Sequence, residues 1–466
     1  MNNSVGQKPV VNLAKIVPVI LLLMIFSIVI DNSFKIISPD LVDYFGVSAS
    51  TVSWQVTLSG LVIGIGAVVY SSLSDSISVR NLLAIGIVLI CAGSLLGYVT
   101  HENYWMIVFS RIIQSAGLGA TETLYLVFIT KYATEQEQKK YMGFSTSSFQ
   151  LATVIGTLTG GFVATYLAWQ NLFLIPLLSL LLLPFILKNL PKEEKKKNNV
   201  DFIGLIIIAV IATSIMLYMS SFNWGLFILF IAAVIVFLLY ISKNKKAFIT
   251  IEFFKNKQFL FALAVAFILN SLYAAYALNT LSFLLTSVYD IHLDTVSLLF
   301  IPACLLAATV GALSGKIGKR LSSKQCVSLA ISLIIISLLL GVFFVKTSIA
   351  VFVISLILFS CSFALLYAPL IDIAIKKVPT EKSGTALGFY NLCINIAMSV
   401  GFTYSALLID KKDLQFSFLR FVTEDATALN YSSIVAILAA IAVVAIILFW
   451  VLLGRSSDSN TQVTSK

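Results

Sequence analysis

Met106-Ile-Val-Phe-Ser-Arg111-Ile-Ile-Gln114-Ser-Ala-Gly117-Leu-Gly119-Ala-Thr-Glu122-Thr-Leu-Tyr-Leu-Val-Phe-Ile129 is an apolar run that carries a full positive charge, Arg111, and a full negative charge, Glu122. About 20 residues rising 1.5 Å each cross the hydrocarbon core of a bilayer, so the run is long enough to span one. At that depth each charge costs at least a few kcal/mol. Glu122 follows Arg111 by 11 residues. At 100° each these return to within about 20° of the start, so both charges point the same way, roughly 16 Å apart along the axis. One stripe of this helix therefore faces a buried, water-accessible path and not lipid.

Composition places the whole chain in a membrane. Hydrophobic residues are 59%, charged residues 11% and mean hydropathy +1.00, against about 25% charged residues in a soluble domain. Spans use nearly all of the 466 residues and leave no room for a sizeable soluble domain. The five cysteines, Cys91, Cys304, Cys326, Cys361 and Cys393, lie in or beside apolar runs without CxxC or Cys/His spacing, and read as small packing residues. Neither a protein-held metal nor a cofactor is expected. The polar stretch Met1 to Lys15 leads into an apolar run with no small-residue cleavage site, which reads as a retained first helix.

Charge and turn residues divide the apolar sequence into fourteen expected spans, at 15–39, 51–74, 81–99, 105–130, 141–167, 170–189, 201–220, 222–241, 259–288, 295–317, 324–345, 348–374, 384–409 and 432–453. Alternate loops hold Arg80, Lys131, Lys139 and Lys140, the run Lys192 to Lys197, Lys243 to Lys246, Lys316 to Arg320, and Lys376 to Lys382. The opposite loops hold mostly acids and both histidines, among them Asp40, Asp43, His101, Asp290 and His292, with Lys346, Lys411, Lys412 and Arg420 against the trend. This asymmetry puts both termini in the cytoplasm of a multi-pass protein of the cell membrane. It also accounts for the net charge of +10 without nucleic acid as a partner. The lysine-rich run 192–199 reads as a solvated linker, and the following helix pair has no polar stripe, so it is expected to pack or face lipid.

Two loops share one frame. Ser71-Ser-Leu73-Ser74-Asp75-Ser-Ile77-Ser78-Val-Arg80 and Gly311-Ala-Leu313-Ser314-Gly315-Lys-Ile317-Gly318-Lys319-Arg320 both read small–x–Leu–Ser–x–x–Ile–small–x–basic, which indicates a duplicated bundle. Small residues there let flanking helices approach closely, and Asp75 can cap the next helix or pair with a base such as Arg80. The frame resembles the G-x-L-a-D-r-x-G-r-k signature of the major facilitator superfamily, although serines replace both glycines in the first copy and the second lacks the Asp. Arg111-Ile-Ile-Gln114-Ser115-Ala-Gly117 resembles the R-x-x-q-G-x-g motif of its fourth helix. Gly143, Gly156-Thr157 and Gly160-Gly161 are similar to the antiporter signature g-x8-G-x3-G-P-x2-G-G, with Ala152 and Thr157 in place of a glycine and the proline. Asp31-Asn-Ser33-Phe-Lys35-Ile-Ile-Ser38-Pro39 resembles the first-helix signature of the fourteen-helix drug:proton antiporters. With Ser53-Trp54-Gln55, Glu122-Thr-Leu-Tyr125 and Tyr367-Ala-Pro-Leu370, the chain resembles the chromosomal tetracycline efflux proteins of Gram-positive bacteria.

That resemblance implies an all-α fold of two six-helix bundles related by a pseudo-two-fold, with two extra central helices. The expected division is an N-terminal bundle at 1–190, cytoplasmic linkers and the central helices at 191–258, a C-terminal bundle at 259–454 and a cytoplasmic tail at 455–466. It also implies proton-driven export of tetracycline, carried as a chelate with Mg²⁺ or another divalent metal. The expected partners are the bilayer, the drug and protons, and nothing demands more than a monomer.

Asp31 lies about 22 Å into the first helix, and Arg111 falls at similar depth in the fourth. A carboxylate facing a guanidinium there is a place where a proton can compete with a cation; the same pair would also serve as static packing. Lys35 either snorkels to the interface or offsets Asp31 at i,i+4. Glu122, deeper, is the candidate to attract a cationic substrate or a proton, with Gln114 on the same helix. Gly143, Gly156, Gly160 and Gly161 are candidates for close helix packing and gating, alongside Asp75, Arg80, Gly311 and Gly318. Asn270, Asn279, Tyr367, Tyr390, Asn391 and Asn395 put hydrogen-bonding groups into apolar runs of the second half and are candidate substrate contacts. Asn270 and Asn279 fall on opposite faces of a straight helix, so only one is expected to line the path. An intramembrane enzyme would need a His, paired-acid or metal constellation, and the two histidines, His101 and His292, stand in loops without one. A broad multidrug or fatty-acid pump and a metabolite symporter of the same fold are the alternatives.

Overall fold

The computed structural model describes residues 12–74, 76–191, 201–244, 255–317, 320–376, 378 and 383–454. Among them the chain is helical, with no strand. The helices are α1 (Leu13–Ile36), α2 (Ala49–Leu73), α3 (Val79–Val99), α4 (Tyr104–Tyr132), α5 (Glu135–Tyr166), α6 (Trp169–Asn189), α7 (Phe202–Ser221), α8 (Trp224–Lys243), α9 (Lys257–Tyr289), α10 (Leu293–Ile317), α11 (Ser323–Phe343), α12 (Ile349–Ile375), α13 (Ser383–Asp410) and α14 (Ala426–Leu453). Their starts are set by side chains that satisfy orphan amides: Ser48, Ser78, Asn103, Asp201, Asn223, Asn256, Ser322, Ser348 and Asp425 all accept from the first turn of the helix they precede.

Thirteen helices among the described residues are long and apolar enough to cross a membrane. The span expected at 141–167 falls in α5, a helix of 32 residues whose apolar part is Leu151–Tyr166. Its first turns, with Glu135, Glu137, Lys139 and Lys140, are polar and begin at a capping box between Thr134 and Glu137. Two other expectations change in detail. The first helix stops at Ile36, and Ser38–Phe45 forms a separate short helix. α6 is largely tight 3₁₀ turns, where Pro176 and Pro184 each remove a backbone donor.

Helices α1 to α6 pack on one another, as do α9 to α14. The two groups meet along two seams, α2 against α13 and α5 against α10. The α7–α8 hairpin was expected to pack or face lipid; Leu205 and Ile208 of α7 lie in one apolar cluster with Val68 of α2 and Leu392 of α13, so it leans on the first seam. Small residues make close approaches at α5. A Cβ on Gly156 would sit 2.6 Å from the carbonyl oxygen of Val29, one on Gly160 2.6 Å from that of Ser33, and one on Gly161 would fall on Leu293 and Ser297 of α10. Gly311 has nothing around such a Cβ, so the close packing expected at the second copy of the repeated loop is not made there. Asp75 and Gly318 lie outside the described residues, as do the surroundings of Gly143.

Between α1 and α2, burial and the neighbouring Asp43 carboxylate push Asp40 up to about 6, with His292 of the α9–α10 connection opposing them. The folded state thus holds this proton up to higher pH than the unfolded chain, and that stabilising difference is lost as pH rises from about 4 to about 6. Asp40→Asn is expected to raise Tm at pH 7.5, with the gain shrinking as pH falls through 6 toward 4. Gly161→Ala is expected to cost about 2 kcal/mol through overpacking, and Gly311→Ala, inside α10 with open space at its Cβ, to add about 0.5–1 kcal/mol of stability through helix propensity. Thermal melts of the purified protein in detergent check all three.

Candidate functional site

Arg111 of α4 is 0% exposed, and the structure surrounds it from three helices. Its Nη2 donates to Oδ1 of Asp31 on α1 at 3.2 Å. Its Nη1 donates to Gln114 Oε1 one turn along, and Gln114 Nε2 donates to Ser94 Oγ of α3 at 2.8 Å. The guanidinium carbon lies 4.4 Å from the centre of the Phe34 ring. Phe34 is held in turn, its carbonyl accepting from Gln55 Nε2 at 3.0 Å and its ring 4.7 Å from that of Phe173. Lys35 completes the set by pairing with the other oxygen of Asp31. Desolvating these ions costs several kcal/mol each, so the cluster persists only because charge-assisted bonds and the aromatic face replace water.

Glu122 shares α4 with Arg111 and lies within electrostatic reach of Asp31 and Lys35. It is half-buried, with no hydrogen bond or ion pair to another described residue. Asp31, Lys35 and Arg111 alone carry one net positive charge, within electrostatic reach of the Glu122 carboxyl. Two acids in one electrostatic set make binding at either sensitive to the charge on the other.

The remaining candidates divide by burial. Glu122, Asn270 and Asn391 keep open surface, and Tyr367 is 50% exposed. Gln114 is buried behind Arg111 and orients the guanidinium. Asn279 is buried and donates to Ser405 Oγ at 2.8 Å, while Asn270 donates to its own helix at Ala266 O. Asn279 lies inside a π-helical segment, Ala274–Thr280, so α9 is not the straight helix assumed for their spacing. Tyr390 is buried beside Tyr367. Asn395 donates to Asn391 O at 3.0 Å and packs over Gly64 of α2. Arg80 is half-buried, its Nε without a partner among the described residues. Sequence reading missed the aromatic wall of Tyr273, Phe359 and Phe363, where Tyr273 and Phe363 stand 4.8 Å apart, because an aromatic residue in an apolar run carries no mark of which way it faces. Among the described residues no group of three or more His, Cys, Asp or Glu is placed to hold a metal.

Asp31→Asn leaves two buried cations without their carboxylate, and is expected to cost about 3–5 kcal/mol of stability. The double change Asp31→Asn/Arg111→Gln is expected to recover part of it. Denaturation of both variants beside the parent protein checks the coupling.

A sequence profile described as Major Facilitator Superfamily matches residues 20–402. The chain is 24% identical over 406 residues to the riboflavin transporter RibZ of Clostridioides difficile (strain 630), covering 83% of this chain and 86% of that protein. It is 25% identical over 383 residues to the quinolone resistance protein NorB of Staphylococcus aureus (strain MRSA252), covering 79% and 82%. Among solved structures it is similar to a D-xylose-proton symporter, with TM-score 0.65 at 16% identity over 94% of this chain and 98% of that one. It is also similar to the nucleoside transporter NupG, with TM-score 0.66 at 12% identity over 94% and 98%. Helices that wrap a buried charge cluster, a profile that runs across most of the chain and transporter folds of the same shape agree, and the chain belongs to the Major Facilitator Superfamily of membrane transporters.

Proposed function

We propose that this protein is a proton-coupled antiporter that exports tetracycline, bound to a divalent metal such as Mg²⁺, across the cell membrane. In this reading it has fourteen spans, with α5 as the fifth, and both termini in the cytoplasm. The observation that carries the proposal is the half-buried, unpartnered Glu122 within reach of the Asp31–Lys35–Arg111 set. A proton on Asp31 adds one positive charge to that set and raises the potential at Glu122, which drives a bound cation off. Loss of the proton restores the attraction. Exchange of proton for cation follows from this sign, whichever cation is carried. The metal is cargo, held by the drug, and Glu122 meets the net positive charge of the chelate.

The relatives are compatible with a fused-ring cargo: riboflavin and quinolones, the compounds in their names, contain fused rings, as does tetracycline. Tyr273 and Phe363, half-buried and 4.8 Å apart with the buried Phe359 behind them, offer ring surface suited to such a body. The name of the staphylococcal relative also favours a second reading, a broader drug pump using the same charges.

Inverted vesicles with an acid interior are expected to take up labelled tetracycline only with Mg²⁺, and to lose that uptake when the gradient is collapsed. Glu122→Gln and Asp31→Asn are each expected to lower the rate at least tenfold at equal expression. Unchanged uptake in both variants would overturn the proposed site. Gradient-driven uptake of quinolones without tetracycline would keep the exchange and change the cargo.

A further inference from the structure

Each seam between the two groups of helices carries one carboxylate clasp. On the first, Asp410, the last residue of α13, accepts from the backbone N–H of Ala49 at 2.7 Å and of Ser50 at 2.9 Å. These are the first two residues of α2, and the Ser48 side chain caps only the amide of Thr51. Asp410 therefore supplies, from the other half of the molecule, the acceptor that two orphan amides need, at the positive end of the helix dipole. On the second seam, Asp294 at the start of α10 accepts from the Tyr166 hydroxyl at 2.8 Å, and its own N–H donates to Thr165 Oγ1 at 3.3 Å.

Both acids belong to the second half of the chain and grip uncharged groups of the first. Both stand at the end of the molecule that also holds Asp40 and His292. Further hydrogen bonds between the halves join Thr57 of α2 to Ser399 and Thr403 of α13. The structure is thus clasped at this end. Lys346 and Asp425 pair at the same end, but both lie in the second half, so that ion pair does not cross a seam.

We infer that Asp410 and Asp294 are positioning residues of the transport cycle, which set the balance between this clasped state and the state open at the same end. Opening pulls each carboxylate away from its donors in the other half, while Asp294 keeps the amide and hydroxyl of its own neighbour Thr295. The inference needs the chain to be a two-state transporter and is independent of which cargo or coupling ion it uses. Bonds to a charged acceptor are the stronger class, so weakening one clasp is expected to shift the ratio of open to clasped molecules roughly tenfold.

The test is a distance measurement on the full-length protein in nanodiscs, with spin labels introduced as non-natural amino acids at Glu102 and Asp413. These are exposed positions at the clasped end, one in each half. Asp410→Asn and Asp294→Asn are each expected to enlarge the long-distance population roughly tenfold over the parent ratio, and the double variant further. Asp410→Glu should restore the parent distribution, and Asp425→Asn should leave it unchanged. Tyr166→Phe removes a donor without touching a charge and should reproduce the Asp294→Asn shift. Parent-like distributions in all three clasp variants, or an equal shift in Asp425→Asn, would overturn the inference. The readout needs neither cargo nor a proton gradient, so a failure of the antiport proposal leaves it intact.

Discussion

The rest of the structure depends on keeping one guanidinium charged in the middle of a membrane. Arg111 can stay there only because Asp31 meets it from α1, Gln114 and Ser94 fix it from α4 and α3, and Phe34 covers its face. Asp31 and Phe34 come from α1, Gln114 from α4 itself and Ser94 from α3, so the charge ties three helices into one unit. An isolated pair would gain little once desolvation is counted. Glu122 is left outside this net, and that makes the cluster more than a staple.

Close helix packing brings these partners within reach. α5 sits between α1 and α10, and its glycines allow backbone contact with Val29 and Ser33 on one side and Leu293 on the other. The helix that carries Asp31 is therefore linked through α5 to the opposite half of the molecule. In the proposed cycle a change of charge at Asp31 would act on a helix one neighbour away from the α5–α10 seam, and the Asp410 and Asp294 contacts sit on the two seams.

Much of this was legible in the sequence, for definite reasons. The step of eleven residues from Arg111 to Glu122 fixes their shared face by helical periodicity alone, and the depth of Asp31 follows from counting residues into a span. The repeated loop frame and the loop charges spoke for a duplicated membrane protein. Features created by approach between distant segments were not legible. Lys35 left two readings open, a snorkelling end residue or an i,i+4 partner of Asp31, and the structure holds the second. Asp410 is followed by Lys411 and Lys412 and reads as loop charge; only the arrival of α2 makes it a cap. The π-helical turn in α9 leaves no mark in composition, and it spoils the spacing argument for Asn270 and Asn279. Gly311 matches a family motif, yet a Cβ added there would meet nothing within 4 Å.

The central claim is that proton and cation compete within one electrostatic set. The most direct measurement is proton release on binding, read by a pH indicator in weakly buffered solution as Mg²⁺–tetracycline is added to purified protein. The account expects proton release that saturates together with drug binding and disappears in Asp31→Asn. Saturable binding with no proton release at any pH between 5 and 9 would contradict it.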